Sequence, residues 1–212
     1  MHPTGKRVLI PKPANVTDKI DGFSPDGTEL VFTRYPFTNG APVGRKPTLM
    51  AAHVRGGRAV PLSQSGLIGS PSVPSSADAV QWSPDGRWIA FADAGKLEVV
   101  STTGRNPRVL IPSIPISQFE SFSWSPNSTR RAYVAELGKA PAFGSDTRLA
   151  TVDLQGHRKP LWNSPSLHYL SEIGLDRPQW SPDGLKLVFL ARSGPGYPPI
   201  HVWIVGANGQ GS

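Results

Sequence analysis

Trp82-Ser83-Pro84-Asp85-Gly86 decides how the rest of the chain is read, because close copies of it recur. Phe23-Ser24-Pro25-Asp26-Gly27, Trp124-Ser125-Pro126-Asn127-Ser128 and Trp180-Ser181-Pro182-Asp183-Gly184 align with it, and the four prolines stand 59, 42 and 56 residues apart. Each copy carries an aromatic residue two positions before its proline and another seven after it: Phe32, Phe91, Tyr133 and Phe189. A chain with 6 Trp, 4 Tyr and 8 Phe does not place eight of them in phase by accident. The repeat is a physical unit with a packing rule of its own.

Ser-Pro-Asp-Gly has the chemistry of a type I turn. Proline presets φ at about −65° at the first central position, Asp suits the second, and Gly accepts the positive φ that follows. Such a turn joins antiparallel strands. On the incoming side Val80 and Trp82 alternate, as do Phe122 and Trp124, while Trp88-Ile89-Ala90-Phe91 is a nearly continuous apolar run, as expected of a strand buried on both faces. A third strand follows at Leu49 to Val54, Leu97 to Val100, Leu149 to Val152 and His201 to Val205, each ending near a glycine. A fourth comes at Arg58 to Leu62, Arg108 to Ile111 and Lys159 to Trp162. Four short strands at a minimal spacing of 42 residues is the arithmetic of a β-propeller blade.

Composition agrees with an all-β chain. Gly 22 and Pro 23 in 212 residues make turns frequent and long helices improbable. With 38% hydrophobic residues the chain can bury a core, and no apolar run approaches the ~18 residues of a membrane helix. The absence of cysteine excludes disulfides, thiolate metal sites and cysteine nucleophiles. The only apolar stretch near the N-terminus is Val8-Leu9-Ile10, too short for the core of a signal peptide, so the compartment stays open. The net charge of +7 raises nucleic acid or an anionic surface as a partner, but no block of five like charges concentrates it. Nucleic acid is therefore disfavoured, and scattered charge for solubility accounts for the balance.

The whole chain, 1–212, reads as one domain with repeats at about 19–63, 79–112, 121–162 and 178–209. The fourth repeat stops after its third strand. Arg7-Val8-Leu9-Ile10-Pro11 matches Arg108-Val109-Leu110-Ile111-Pro112, the outer strand of the second repeat, letter for letter. The expected fold is a propeller of about four four-stranded antiparallel blades, with residues 6–11 closing the ring as the outer strand of the last blade. An open arc from a larger propeller is the alternative.

The Trp-Ser-Pro-Asp-Gly turn followed by a strand with an aromatic at its end resembles the repeat of TolB-type, WD-repeat-like β-propellers, also found in the propeller domains of prolyl oligopeptidase-like enzymes. The resemblance covers about residues 19–209. It implies the fold, a bacterial setting and a periplasmic or extracellular location, but it does not settle the activity, because one fold hosts many functions.

No catalytic constellation stands out. Asp26, Asp85 and Asp183 lie on separate repeats, each with a turn role of its own, and so do not read as a calcium site. The five histidines never fall at zinc-ligand spacing, and no Gly-x-Ser-x-Gly elbow, P-loop or dinucleotide fingerprint occurs. Glu98, Glu120, Glu136 and Glu172 show no acid–base pairing in sequence. The expectation is a non-enzymatic binding or scaffold module without cofactor or metal. Its alternative is the propeller part of a hydrolase whose catalytic domain is not in this chain.

Loop length locates the expected contacts. The second-to-third-strand connections run Arg34 to Pro47, Gly138 to Asp146 and Ser193 to Pro199, against only Ala94 to Lys96 in the second repeat. They share one end of the propeller with the inter-blade links Ser63 to Ala79, Pro112 to Gln118 and Asn163 to Arg177. Loops on a rigid scaffold commonly carry binding. Arg34, Tyr35, Phe37, Arg45, Lys46, Lys139, Phe143, Arg177, Arg192 and Tyr197 give this end a basic and aromatic character, and are the expected contacts for a protein or peptide partner.

Overall fold

The computed structural model describes residues 10–11, 13–38, 41–42, 47–63, 80–93, 96–113, 122–136, 147–164, 178–192 and 200–210, and among them there is no helix. The first blade comprises β1 (Val16–Phe23), β2 (Glu29–Thr38), β4 (Thr48–His53) and β5 (Val60–Ser63), with the short β3 (Ala41–Pro42) paired to the far end of β2. β6 (Val80–Trp82), β7 (Trp88–Asp93), β8 (Lys96–Ser101) and β9 (Arg108–Ile111) form the second. β10 (Phe122–Trp124), β11 (Arg130–Glu136), β12 (Thr147–Asp153) and β13 (Arg158–Ser164) form the third. The fourth has three strands among the described residues, β14 (Gln179–Trp180), β15 (Lys186–Arg192) and β16 (Ile200–Gly206). Paired strands are antiparallel throughout and follow chain order, as the repeat requires.

The core lies between blades. Val31, Leu49, Ala51 and Leu62 of the first blade meet Val80, Ile89, Phe91 and Val100 of the second. Ala90, Leu97, Val99, Leu110 and Ile111 of the second meet Phe122, Trp124, Tyr133 and Val152 of the third. Ala132, Val134, Leu149 and Leu161 of the third meet Leu187, Phe189 and Val205 of the fourth. The aromatic seven residues after each proline therefore always points toward the preceding blade. Phe32 obeys the same rule on the outer flank of the first blade, where it packs with Leu30, Met50, Ala52, Ala59 and Ile10.

Tryptophan indoles bind neighbouring blades by hydrogen bonds as well as by packing. Trp124 Nε1 donates to the Gln81 carbonyl at 3.2 Å, and Trp180 Nε1 donates to the Ser123 carbonyl at 3.2 Å, in each case to the residue preceding the aromatic of the previous blade. Trp82 breaks the series: its buried Nε1 has no hydrogen-bond partner among the described residues. The corresponding backbone in the first blade is Gly22, beside a bulge between Ile20 and Gly22 that displaces the strand.

Three points that the repeat alone leaves open are seen in the structure. Phe23 does not pack as Trp124 does: it is 62% exposed where Trp124 is 7% exposed, and among the described residues no inner strand of a preceding blade stands beside it. Among the described residues β16 has no neighbour on its outer edge, consistent with the open arc given as the alternative. Residues 6–9 of the expected closing strand lie outside the described residues, but Ile10 packs against the first blade. The turn at Asn127-Ser128, which lacks the Asp-Gly of the other three, keeps the common geometry. Ser128 takes φ 60°, close to the 69°, 70° and 71° of Gly27, Gly86 and Gly184, and its Oγ accepts the Asp85 amide at 2.9 Å. That inter-blade bond offsets the roughly 1 kcal/mol a left-handed serine costs.

Candidate functional site

Strand direction divides the arc into two ends of different character. At one end lie the four repeat turns and the hairpins joining third to fourth strands. There each Ser donates from Oγ to the Asp or Asn two residues on, at 2.6, 2.6, 2.8 and 2.5 Å for Ser24, Ser83, Ser125 and Ser181. The same Oγ accepts the amide five residues on, at 2.9, 2.9, 3.0 and 2.9 Å, while the Asp or Asn accepts the amide at its own i+2. The first cause lowering the pKa of Asp26 and Asp183 is this serine hydroxyl, followed by the backbone amide. The repeated aspartates are thus used up in turn structure, which is the structural role their spacing suggests.

At the opposite end the strands open into the long connections. Strands β2, β5, β9, β11, β13 and β15 all run out at this end, and the chain re-enters from it at β4, β6, β10, β12, β14 and β16. Of the ten expected contact residues, Arg45, Lys46, Lys139, Phe143, Arg177 and Tyr197 lie outside the described residues. Phe37 and Arg192 sit on strand backbone, in β2 and β15, and their side chains are outside the described part. The first connection is shorter than its sequence suggests, because β2 continues to Thr38 and folds back through β3.

That extension decides the other two. Tyr35 is buried at 4% exposure, so it belongs to the blade and is not available to a partner. Arg34 is held by Asp18 through Nε–Oδ1 and Nη2–Oδ2 bonds, both 2.8 Å, and its guanidinium lies over the Phe32 ring with 5.3 Å to the centroid. The Asp18 hydrogen bonds raise the Arg34 pKa against a smaller opposing effect of burial. Arg34 also lines a groove of about 550 Å³ with Arg58, Met50, Ala59, Ile10 and Pro13.

The inner edge of the first blade carries a group the sequence reading passed over. Asp21 accepts a 2.6 Å hydrogen bond from the Thr33 hydroxyl, and Lys19 Nζ lies 3.5 Å away. Burial raises the Asp21 pKa in spite of the Thr33 hydroxyl and the Lys19 charge. Its signal in sequence is slight, since the β1 bulge that turns it inward has no motif. A second groove, about 600 Å³, lies between the turns of the third and fourth blades and is lined by Asn127, Arg130, Trp180, Asp183 and Leu185. Among the described residues no three His, Cys, Asp or Glu side chains converge to hold a metal ion, and no helix is long and apolar enough to cross a membrane.

No family model and no curated protein matches the sequence. Solved structures do match the fold. A TolB-type protein of Agrobacterium tumefaciens has a TM-score of 0.53 at 16% identity, over 89% of this chain and 61% of that one. An oligogalacturonate lyase in complex with manganese gives 0.56 at 15% identity over 94% of this chain and 68% of that one. The acylaminoacyl peptidase of Pyrococcus horikoshii gives 0.54 at 13% identity over 83% of this chain and 29% of that one. The chain spans 61% of the TolB-type protein's length. The likeness is one of fold, a propeller resembling the TolB type, shared by proteins of different activities.

Proposed function

We propose that this chain is a non-catalytic binding module that presents its long-connection end to a protein or peptide. The observation that carries the reading is the division of the two ends. The turn-end serines and aspartates are hydrogen-bonded within their own turns, whereas the strands run out at the other end into the long connections, whose sequences carry basic and aromatic residues. The groove lined by Arg34, Arg58, Met50 and Ile10 has the mixed basic and apolar lining that an extended segment with acidic and apolar side chains would fit.

The test is a pull-down with the full chain, followed by affinity measurement for the captured partner. Charge reversal at Arg45 and Lys46 is expected to weaken binding at least tenfold. Asp85→Asn, at the turn end, is expected to leave binding unchanged. The reverse pattern would overturn the assignment of ends. A second reading, the propeller part of a hydrolase, draws on the likeness to the acylaminoacyl peptidase. An α/β-hydrolase domain encoded next to this chain would favour it.

A further inference from the structure

Neighbouring repeat turns are tied together in one gap of the arc and parted in the next. Between the second and third blades the Ser128 Oγ accepts the Asp85 amide at 2.9 Å, so a side-chain hydroxyl bridges the two turns. In the following gap Asn127 holds the position of Asp85, and Gly184 holds that of Ser128. Gly184 keeps the left-handed conformation, φ 71° against 60°, but brings no hydroxyl. The Asn127 amide accordingly has no hydrogen-bond partner among the described residues, and the turns of the third and fourth blades stand on either side of the groove of about 600 Å³.

That groove is lined by groups with unused hydrogen-bonding capacity. Arg130, exposed at the start of β11, makes no hydrogen bond or ion pair through its guanidinium among the described residues. Asp183 accepts the Ser181 hydroxyl and the Leu185 amide at Oδ1, at 2.5 and 2.9 Å, and its Oδ2 accepts no hydrogen bond from the described residues. Pro126, Trp180 and the 67% exposed Leu185 give the groove an apolar wall. One guanidinium and one carboxylate leave the lining without net charge, which disfavours a strongly anionic or cationic ligand. The gap between the first and second blades does not repeat this set. Gly86 faces Pro25 there as Gly184 faces Pro126, but Glu29 holds the position of Arg130 and Arg87 that of Leu185.

We propose that the groove between the third and fourth turns binds a neutral saccharide, one of whose hydroxyls takes the place that Ser128 Oγ fills in the preceding gap. Sugar hydroxyls both accept and donate, so they answer the Asn127 amide and the Arg130 guanidinium as acceptors and Asp183 Oδ2 as donors. The C–H surface of the ring suits the wall of Pro126, Trp180 and Leu185. The site lies at the opposite end of the blades from the long connections and does not depend on the partner proposed for them.

The test uses the full chain and three neutral disaccharides, cellobiose, maltose and N,N′-diacetylchitobiose, followed through the backbone amide resonances. At least one is expected to shift Asn127, Gly184 and Leu185, with a Kd on the order of 1 mM. Gly184→Ser supplies internally the hydroxyl that Ser128 supplies in the preceding gap, so it is expected to shift the Asn127 amide without sugar and to weaken sugar binding about tenfold or more. Arg130→Ala is expected to weaken it to a similar degree, and its exposed side chain makes its folding safe. The proposal is overturned if none of the three sugars moves these amides, or if inorganic phosphate moves them and the sugars do not. It is equally overturned if either variant, folded by its amide spectrum, binds the sugar as tightly as the wild type.

Discussion

At the scale of single residues, Arg131 is the clearest departure from the repeat. Its position, five after the proline, is Leu30, Ile89 and Leu187 in the other blades. Arg131 is fully buried, none of its guanidinium nitrogens has a hydrogen-bond partner among the described residues, and the group lies over the Trp124 ring with 4.2 Å to the centroid. Burial lowers its pKa to about 9, against the opposing charge of Asp153, so it remains charged at neutral pH. A cation–π contact returns ~2 kcal/mol, less than the several kcal/mol that desolvating an unpaired ion costs. Arg131→Leu should therefore stabilise the chain by ~1–4 kcal/mol in urea unfolding at neutral pH; a loss of stability would show that the Trp124 contact outweighs desolvation. Trp124→Ala should cost ~3–5 kcal/mol, whereas Phe23→Ala in the single chain should stay within about 0.5 kcal/mol. The tryptophan positions were legible from their phase. Arg130-Arg131 reads as a surface pair until it is placed in the repeat register, which assigns only the second arginine to the core. Tyr35 was misplaced for the opposite reason: nothing in Arg34 to Pro47 marks where β2 ends.

The turn is the element on which the fold rests, and it was the most legible part of the sequence because its geometry is local. Four residues determine it, and the same hydrogen bonds form whether the second central residue is Asp or Asn. The chemical difference between those residues appears only in acid. Serine hydroxyls and backbone amides lower the Asp26 and Asp183 carboxyls below their ordinary 3.8 in the folded chain. Folding thus favours the ionised form. The resulting stability is present above the ordinary carboxylate value and is lost as pH falls through the lowered one. Asn127 has no such dependence. A chain carrying Asp26→Asn and Asp183→Asn should keep its fold at neutral pH and lose less stability than wild type between about pH 4 and pH 2. Urea midpoints along that series are the measurement, and identical acid profiles would mean that the turn carboxylates contribute nothing to acid unfolding. The outer strands were less legible than the turns. Pro61 and Pro160 sit opposite Met50 and Ala150 beside register shifts, which edge strands tolerate but a continuous ladder would not.

Repeat phase says which edge can pair with which, but not how far each blade rotates from the last, so closure was beyond the sequence at the scale of the whole molecule. The same holds for the long connections, whose basic and aromatic residues have no period to fix their placement. What the arc does fix is an unequal sharing of interfaces. Among the described residues the second and third blades are packed on both sides, while the fourth is packed on one and exposes Val202 and Ile204 on the other. The first is intermediate, its outer flank covered by Ile10 and Ala59 but its Phe23 bare. In arrays where units contact only their neighbours, stability is close to a sum of unit and interface terms, so a blade with one interface opens before a blade with two. Hydrogen exchange on dilute, single chains should therefore find the amides of β7, β8, β11 and β12 slowest, those of β1, β2 and β4 faster, and those of β15 and β16 fastest. Trp180→Ala, which removes an anchor of the fourth blade's interface with the third, should speed exchange in β15 and β16 well before it affects β7 and β8. Equal protection in all four blades, or a Trp180→Ala effect spread evenly over the chain, would mean that the arc unfolds as one cooperative unit and that its free ends carry no energetic penalty.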